Sequence, residues 1–302
     1  MKSFFDGKRA LVVINPISGK RTTKTQLFNI TELFSTSGLE TTVYTTRCKG
    51  DATDIVRRRG ANYDVIVCRG GDGTFNEVIN GIMLLEKRPL VGYIPAGSTN
   101  DLASTLCIPR DNAEAIDIIL NSQPLWNDMG CFNGSVYWCY TASFGAFTEV
   151  SYDTSQKLKN QLGRMAYFAA APAALKNIRP MRVQIKTEEG YEAEEDTIFC
   201  GVSNSTSIAG LIKLSRREVG LNDGMFELMM VRYPKNAAEL SSRIMAILAK
   251  DFSRDDVKMV RTRRAEFTFE DGVPWTVDGE YAGIHESVVI ENIHNAVQVF
   301  RR

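Results

Sequence analysis

Histidines and long apolar runs are what this 302-residue sequence has least of. Its two histidines, His285 and His294, form no metal-ligand pair and neither adjoins a nucleophile motif, which argues against a zinc site or a Ser-His-Asp hydrolase. No apolar window approaches the roughly 18 residues of a membrane-spanning helix, and the N-terminus lacks an apolar stretch followed by a small-residue cleavage site. We therefore expect a soluble, cytoplasmic chain.

Paired cysteines and an excess of one charge are also missing. None of the six cysteines belongs to a C-x-x-C pair, and most lie in apolar segments, so we expect reduced, structural thiols. Lys plus Arg and Asp plus Glu both number 36, so nothing in the overall charge indicates nucleic acid as a partner. Any anion must be bound by a local site.

The first part of the chain alternates short apolar runs with amphipathic ones, which predicts a mostly parallel sheet covered by helices. The predicted strands are RALVVIN, ETTVYTT, DVIVCRG and PLVGYIPAG. Glycines end two of the helices, at Gly38 and Gly60, and Asp111 with Glu114 forms a capping box at the start of another. We assign residues 1–125 to a doubly wound α/β domain.

The second part, residues 126–293, changes to alternation at period two and predicts an antiparallel β-sandwich-like domain with helical excursions. Hairpin turns are predicted at Asn133-Gly134, near Glu189-Gly190 and near Asp271-Gly272. Helices are predicted from Ser155 to about Asn177 and from about Ala237 to Lys250. The final residues, about 294–302, could return to the first domain, which would place a cleft between the two.

Three glycine-containing segments stand where a predicted strand of the first domain ends and a helix begins. They are NPISGK at 15–20, GGDGT at 70–74 and PAGSTND at 95–101. A glycine there lets backbone N–H groups approach an anion, since no Cβ intervenes. The carboxyl ends of such strands line one crevice, so the sequence predicts a phosphate site, although a plain turn into a helix would explain GGDGT alone.

Asp72 is unusual in such a loop, because a carboxylate repels phosphate unless a cation lies between them. It can cap the following helix, or it can organise a Mg²⁺ network directly or through water. The segment matches neither the G-x-x-x-x-G-K-[ST] phosphate loop nor the G-x-G-x-x-G dinucleotide fingerprint. Both roles of Asp72 stay open.

Together, GGDGTFNEVINGI, INPISGK and IPAGSTNDLA closely resemble the catalytic domain of the diacylglycerol kinase and lipid kinase family in its bacterial soluble form. VGLNDGMFELMMV and WTVDGE also resemble family segments in the right order, so the likeness covers nearly the whole chain. It implies ATP in an interdomain cleft, with Mg²⁺. The residues implied to bind nucleotide or support its site are Asn15, Ser18, Gly70, Gly71, Asp72, Gly73, Thr74, Glu77, Gly97, Ser98 and Thr99.

Asp278-Gly279-Glu280 stands where the family has its catalytic motif. Phosphoryl transfer to an alcohol needs positioning, charge neutralisation and a carboxylate near the acceptor hydroxyl. The resemblance makes Glu280 the base or hydroxyl-orienting group, with Asp278 and Asp72 in the Mg²⁺ network. Because Asp-Gly is also a common turn dipeptide, a plain hairpin at 278–279 is the competing interpretation.

GLNDGMF, residues 220–226, allows two similar interpretations. It is either an Asp-Gly turn or the structural metal site found in some family members. The resemblance then implies that Asp223 offers its carboxylate while Gly220 and Met225 offer main-chain carbonyls, the hard oxygen ligands that Mg²⁺ prefers.

The acceptor implied by the family is a lipid alcohol such as diacylglycerol or a sphingoid base. The predicted helix from Ser155 carries Lys157, Lys159 and Arg164 and could rest on lipid headgroups, or it could simply pack against the protein. The resemblance further implies peripheral contact with the inner face of the membrane, and a homodimer is possible.

Two other functions stay open. One is an NAD kinase relative that uses GGDGT for a nucleoside hydroxyl, against which Asn76-Glu77 and the late D-G-E segment argue. The other is a nucleotide-binding regulator without catalysis, against which the three intact carboxylates Asp72, Asp278 and Glu280 argue.

Overall fold

The first half of the chain forms a parallel sheet with helices on both faces. The computed structural model describes residues 4–18, 24–97, 100–145, 178–208, 212–213 and 219–302. The strands are β1 (Arg9–Ile14), β2 (Glu40–Thr45), β3 (Val65–Gly70) and β4 (Leu90–Pro95), in the order β2-β1-β3-β4. The helices are α1 (Lys24–Thr36), α2 (Asp51–Arg59), α3 (Asp72–Met83), α4 (Asp101–Thr105) and α5 (Asn112–Asn121). The α/β prediction is confirmed.

The burial of these strands explains their sequences. Every residue of β3 is buried, and so is β1 after its first residue, because helices cover both faces of the sheet. Helix α2 packs on α3, and α1 contacts α5. At the start of α5 the Asp111 carboxylate accepts hydrogen bonds from the N–H groups of Ala113 and Glu114, as the capping pattern predicts.

The second half is dominated by antiparallel strands. They are β5 (Pro124–Phe132), β6 (Val136–Trp138), β7 (Thr141–Gly145), β8 (Met181–Thr187), β9 (Glu192–Ser203), β10 (Ser207–Ile208), β11 (Ile212–Lys213), β12 (Phe226–Arg232), β13 (Val257–Thr262), β14 (Arg264–Val277) and β15 (Glu280–Phe300), with helix α6 (Ala237–Ala249) after β12. Buried aromatic rings, including Trp138, Phe144 and Trp275, fill its core. Turns at Asn133-Gly134 and Glu189-Gly190 join β5 to β6 and β8 to β9, as predicted.

The long strand β15 connects the two halves. It pairs with β14 and β5 in the second half, and Val299 near its end lies parallel to Val91 of β4. One sheet of 13 strands therefore runs through the described residues, across the boundary that the sequence places after residue 125.

The predicted turn at Asp271-Gly272 is wrong. Both residues lie inside β14, where a change of register between Thr268 and Val273 forms a bulge against β15. The chain reverses instead at Asp278-Gly279, whose φ angles of 48° and 80° suit a tight hairpin, with Val277 opposite Glu280. Each Asp-Gly pair fits a hairpin locally, and only the pairing of the strands distinguishes them.

The predicted helix from Ser155 to Asn177 lies outside the described residues. Within the described part of the chain, no helix has both the length and the apolar character needed to cross a membrane.

Candidate active site

A cleft of about 620 Å³ opens at the carboxyl ends of the parallel strands. The chain leaves β1 and β3 in opposite directions across the sheet, and open α/β sheets bind ligands at such a switch point. The cleft is lined by Asn15, Pro16, Ile17, Ser18, Thr46, Arg47, Cys48, Lys49, Gly71, Gly73, Thr74, Asn76, Glu77, Asp278, Glu280 and Tyr281. Both halves of the chain contribute, and the volume suits a ligand of nucleotide size.

Two of the predicted loops touch through glycines. A Cβ added to Gly97 would lie 2.8 Å from the Gly71 Cα, and one on Gly71 would lie 3.3 Å from the Gly97 Cα. A side chain at Gly97 would therefore push the loops apart. Within GGDGT, Gly70 makes room for the Thr74 side chain. The residues Ser98 and Thr99 lie outside the described part of the chain.

Asn15 connects the first loop to GGDGT. Its side-chain amide donates to the Thr74 hydroxyl oxygen at 3.0 Å, while its Oδ1 accepts from the N–H of Ile17 at 3.1 Å. Ser18 follows in the same turn and lines the cleft. The three segments predicted from sequence thus meet at one edge of the sheet.

Asp72 is the first residue of α3 but does not cap it. Its Oδ2 accepts from the N–H of Asp101 at 3.0 Å, at the start of α4, and its Oδ1 accepts from the Tyr93 hydroxyl at 3.3 Å. Burial raises the pKa of Asp72, because desolvation disfavours the charged form. The N–H of Leu102 is a third donor to this carboxylate, which has four lone pairs in all. Asp72 therefore holds the third loop and keeps some capacity to accept a further hydrogen bond or bind a cation.

Glu77 supports a fourth loop that the sequence analysis missed. Its carboxylate accepts from the N–H groups of Gly50 at 2.8 Å and Ala52 at 3.2 Å, which fixes the segment between β2 and α2. That segment brings Thr46, Arg47, Cys48 and Lys49 to the cleft. The rule that located the other loops applies equally to the carboxyl end of β2, where Gly50-Asp51 opens the helix.

Asp278 is a buried acceptor at the hairpin turn. Its Oδ1 accepts from the N–H groups of Tyr140 and Thr141 at 2.9 and 3.0 Å. Its Oδ2 accepts from the Cys139 N–H and the Asn76 amide, both at 2.7 Å. Burial raises the pKa of Asp278 to about 6, against the opposing effect of these donors. The hairpin and a role for this carboxylate therefore coexist: it ties α3 of the first half to the β6–β7 segment of the second.

Glu280 follows that turn and faces the cleft. Its carboxylate lies 2.7 Å from the Lys49 Nζ, and both side chains are largely exposed, at 62% and 81%. The Glu280 carboxylate raises the pKa of Lys49. An exposed pair of this kind contributes little stability, so the carboxylate can leave it for another partner.

The segment Gly220 to Met225 lies away from the cleft lining. The Asp223 carboxylate accepts from the Met225 N–H at 3.0 Å and forms an ion pair with Arg261. Asp128, fully buried, holds the same segment by accepting from the Gly224 N–H at 2.7 Å. Among the described residues, no group of three or more His, Cys, Asp or Glu side chains is arranged to hold a metal ion. Any cation here would need main-chain oxygens as well.

Glu227, two residues further on, is a buried acid that the sequence analysis missed. Neither carboxylate oxygen has a hydrogen-bond partner, and the nearest charge of opposite sign is the Arg261 Nε at 3.6 Å. Desolvation raises the pKa of Glu227 to about 8. The alternation of side chains along a strand places residue 227 on one face of the sheet. Nothing in the apolar residues around it indicates that this face is buried and encloses an acid.

In a metal chelator, Glu227 should lower the free energy of unfolding of the protein as the pH rises from about 5 to 8. Unfolded Glu227 loses its proton near 4.5 and folded Glu227 only near 8, so the folded state binds the extra proton between these values. Between pH 5 and pH 8, the unfolding free energy of the wild type should fall by about 2–4 kcal/mol more than that of Glu227→Gln. Urea denaturation of both proteins at the two pH values measures this difference. The same slope in the variant would contradict the assignment.

The comparisons with known proteins agree with this architecture. Residues 9–132 match the family model described as diacylglycerol kinase catalytic domain, and residues 141–301 match the one described as YegS C-terminal NAD kinase beta sandwich-like domain. A Bacillus subtilis protein named diacylglycerol kinase is 34% identical over 279 residues, covering 92% of this chain and 91% of that protein. A Staphylococcus carnosus protein of the same name is 35% identical, covering 91% and 90%.

A crystal structure described as a putative diacylglycerol kinase from Bacillus anthracis has the same fold. It superposes with a TM-score of 0.80 at 24% identity, over 100% of this chain and 99% of that one. The match extends over both halves, so the continuous arrangement of α/β and β-rich parts is that of the solved structure.

Proposed function

Because the chain belongs to the diacylglycerol kinase family and is a lipid kinase, we propose that it transfers the γ-phosphoryl group of ATP to the hydroxyl of a diacylglycerol-like lipid at a membrane surface. One observation carries the proposal: the loops at 15–18 and 71–74 and the Glu280 carboxylate, from opposite halves of the chain, line the same cleft.

We place the phosphates of ATP against the loops at 15–18 and 70–74, beside Gly97. The absence of side chains at Gly71 and Gly97 lets their two loops touch, and the start of α3 adds its dipole. Lys49 is the cation beside Glu280 and can move from that carboxylate to the transferred phosphoryl group. These groups bind and orient the nucleotide, which is most of what phosphoryl transfer asks of a protein.

Glu280 then acts on the acceptor. Its exposed carboxylate can accept a hydrogen bond from the lipid hydroxyl and take its proton as the oxygen attacks phosphorus. Asp278 fixes the turn that presents Glu280, and with both oxygens engaged by two donors each it acts through position rather than as a cation ligand.

Mg²⁺ would neutralise the phosphate charge when bound, and Asp72, between the cleft-lining Gly71 and Gly73, would hold it through its remaining acceptor capacity. We assign a second, structural cation to the Asp223 carboxylate and the main-chain oxygens of Gly220 and Met225. The Glu227 carboxylate beside this segment has no hydrogen-bond partner, and a cation held by oxygen ligands would compensate its buried charge.

The test is ADP release from ATP and Mg²⁺ in mixed micelles that contain diacylglycerol, monoacylglycerol, a sphingoid base or phosphatidylglycerol. We expect turnover that depends on one lipid alcohol and on Mg²⁺, and no turnover in lipid-free micelles. A parallel reaction supplies NAD as acceptor. ATP binding without turnover on any lipid, or phosphorylation of NAD instead, would contradict the proposal.

A further inference from the structure

The Glu227 carboxylate is enclosed without the partners that such a group needs. The residue is 2% exposed, and neither oxygen receives a hydrogen bond from any described group. Burying an ionised carboxylate in this way is costly unless a cation or several donors compensate it. Most other buried carboxylates of the chain obey the rule, as Asp278 and Asp128 do with their donors.

The register of the strands places Glu227 beside the Asp223 segment. Glu227 on β12 lies opposite Arg261 on β13, so their side chains share one face of the sheet. The same guanidinium reaches forward to Asp223 through its Nη2, while its Nε stays 3.6 Å from Glu227. One arginine thus lies between two carboxylates and makes a hydrogen bond to only one of them.

The other residues on this face of β12 offer no alternative partner. Met229 and Val231 follow at alternate positions and are buried in the apolar core. Glu227 is therefore the one acid of that face, at the end nearest Met225 and its carbonyl group. On β9, Ser203 lies opposite Glu227, but its hydroxyl donates to the Tyr140 carbonyl oxygen. Of the two described side chains that flank Glu227 across the strands, only Arg261, on the side of the Asp223 segment, can compensate its charge.

We propose that Glu227 supplies a further carboxylate to a divalent cation at the Gly220–Met225 segment, and that Arg261 takes the place of this cation between Asp223 and Glu227 when none is bound. The inference rests on the structural-cation part of the proposed function and not on kinase activity. It predicts that the guanidinium and the cation compete for the same two carboxylates.

The competition gives the two variants opposite effects. Glu227→Gln keeps the shape of the side chain but removes the charge, so it should weaken cation binding. Arg261→Gln removes the competing positive charge, so it should strengthen cation binding. A purely structural role for Glu227 would not give changes of opposite sign.

We would titrate Mn²⁺ into the nucleotide-free, chelator-treated full-length protein and follow free Mn²⁺ by electron paramagnetic resonance. We expect the Kd of one site to rise about 10- to 100-fold in Glu227→Gln and to fall about tenfold in Arg261→Gln. Asp223→Asn should abolish that site. Thermal melts in chelator check folding, and we expect Glu227→Gln to melt no lower than the wild type at pH 7.5.

Two controls locate the ion. Asp72→Asn should leave this Kd unchanged, which separates the site from the cleft. Glu194→Gln should also leave it unchanged, since Glu194 forms an exposed ion pair with Arg182 on neighbouring strands. Unchanged Mn²⁺ binding in Glu227→Gln, or weaker binding in Arg261→Gln, would overturn the proposal. Because ATP and lipid are absent, failure here is distinct from failure of lipid phosphorylation.

Discussion

Replacing Glu280 with Gln is expected to lower kcat for lipid-dependent ADP formation by about 10²- to 10⁴-fold, with the Kd for ATP unchanged within about a factor of two. The amide keeps the size of the side chain but cannot take a proton from the acceptor hydroxyl. The phosphate loops lie on the other half of the chain and make no described hydrogen bond to Glu280, so nucleotide binding should survive. Steady-state kinetics together with a direct ATP-binding titration measure both quantities.

Glu280→Gln also breaks the pair between Glu280 and Lys49, which has a consequence for stability. In the structure Lys49 is the hydrogen-bonded partner of Glu280, across the cleft between the halves. Since both ends of the pair are exposed, breaking it should cost little stability. The large effect of Glu280→Gln must therefore come from the chemical step, and its melting temperature should match that of the wild type.

The matched control is Glu286→Gln, which removes an exposed carboxylate further along the same strand. It should change kcat by less than about twofold. If Glu280→Gln kept full turnover, the role of this carboxylate as base or orienting group would be wrong, while the lipid kinase assignment would still stand on the family. If it lost ATP binding as well, Glu280 would belong to the nucleotide site instead.

The strands and helices of the first half could be predicted because their signals are local. Apolar runs such as VIVCRG in β3 are buried throughout, and glycines or acidic caps stand at the junctions. The three glycine loops then follow from one rule about parallel sheets. The loop after β2 obeys the same rule but contains neither a Gly-Gly nor a P-x-G signal, and it was missed.

Other features required contacts between distant residues. Asp271-Gly272 and Asp278-Gly279 are equivalent turn dipeptides, and the bulge that absorbs the first depends on how β14 pairs with β15. Asp72 caps α4 rather than its own helix because Asp101 approaches it from 29 residues away. Nothing in the neighbouring sequence indicates that Glu227 is enclosed with Arg261.

Asp278→Ala is expected to lower the free energy of unfolding by about 3–5 kcal/mol, a large share of the stability of a typical domain. The change leaves four donors without their acceptor: the buried N–H groups of Cys139 and Tyr140, and the half-buried Thr141 N–H and Asn76 amide. It also puts alanine at a φ of 48°, a left-handed conformation that Asp and Asn tolerate better. Urea denaturation at pH 7.5 measures the loss.

Asp278→Asn should fall between the wild type and Asp278→Ala, because one amide oxygen can still accept from two of the four donors and Asn accepts the left-handed turn. The control is Asp271→Ala, at the exposed Asp-Gly pair inside the β14 bulge, which should cost less than about 0.5 kcal/mol.

The same variants decide what the Asp278 carboxylate does for catalysis. If it acts through position, Asp278→Asn and Asp278→Ala should lower kcat in the same order as they lower the free energy of unfolding. The Mg²⁺ concentration that gives half-maximal rate should then stay at the wild-type value. Unchanged stability with a raised Mg²⁺ requirement would mean that the carboxylate binds the cation. The four hydrogen bonds favour the first result, because a carboxylate that already accepts two donors at each oxygen has little capacity left for a metal ion.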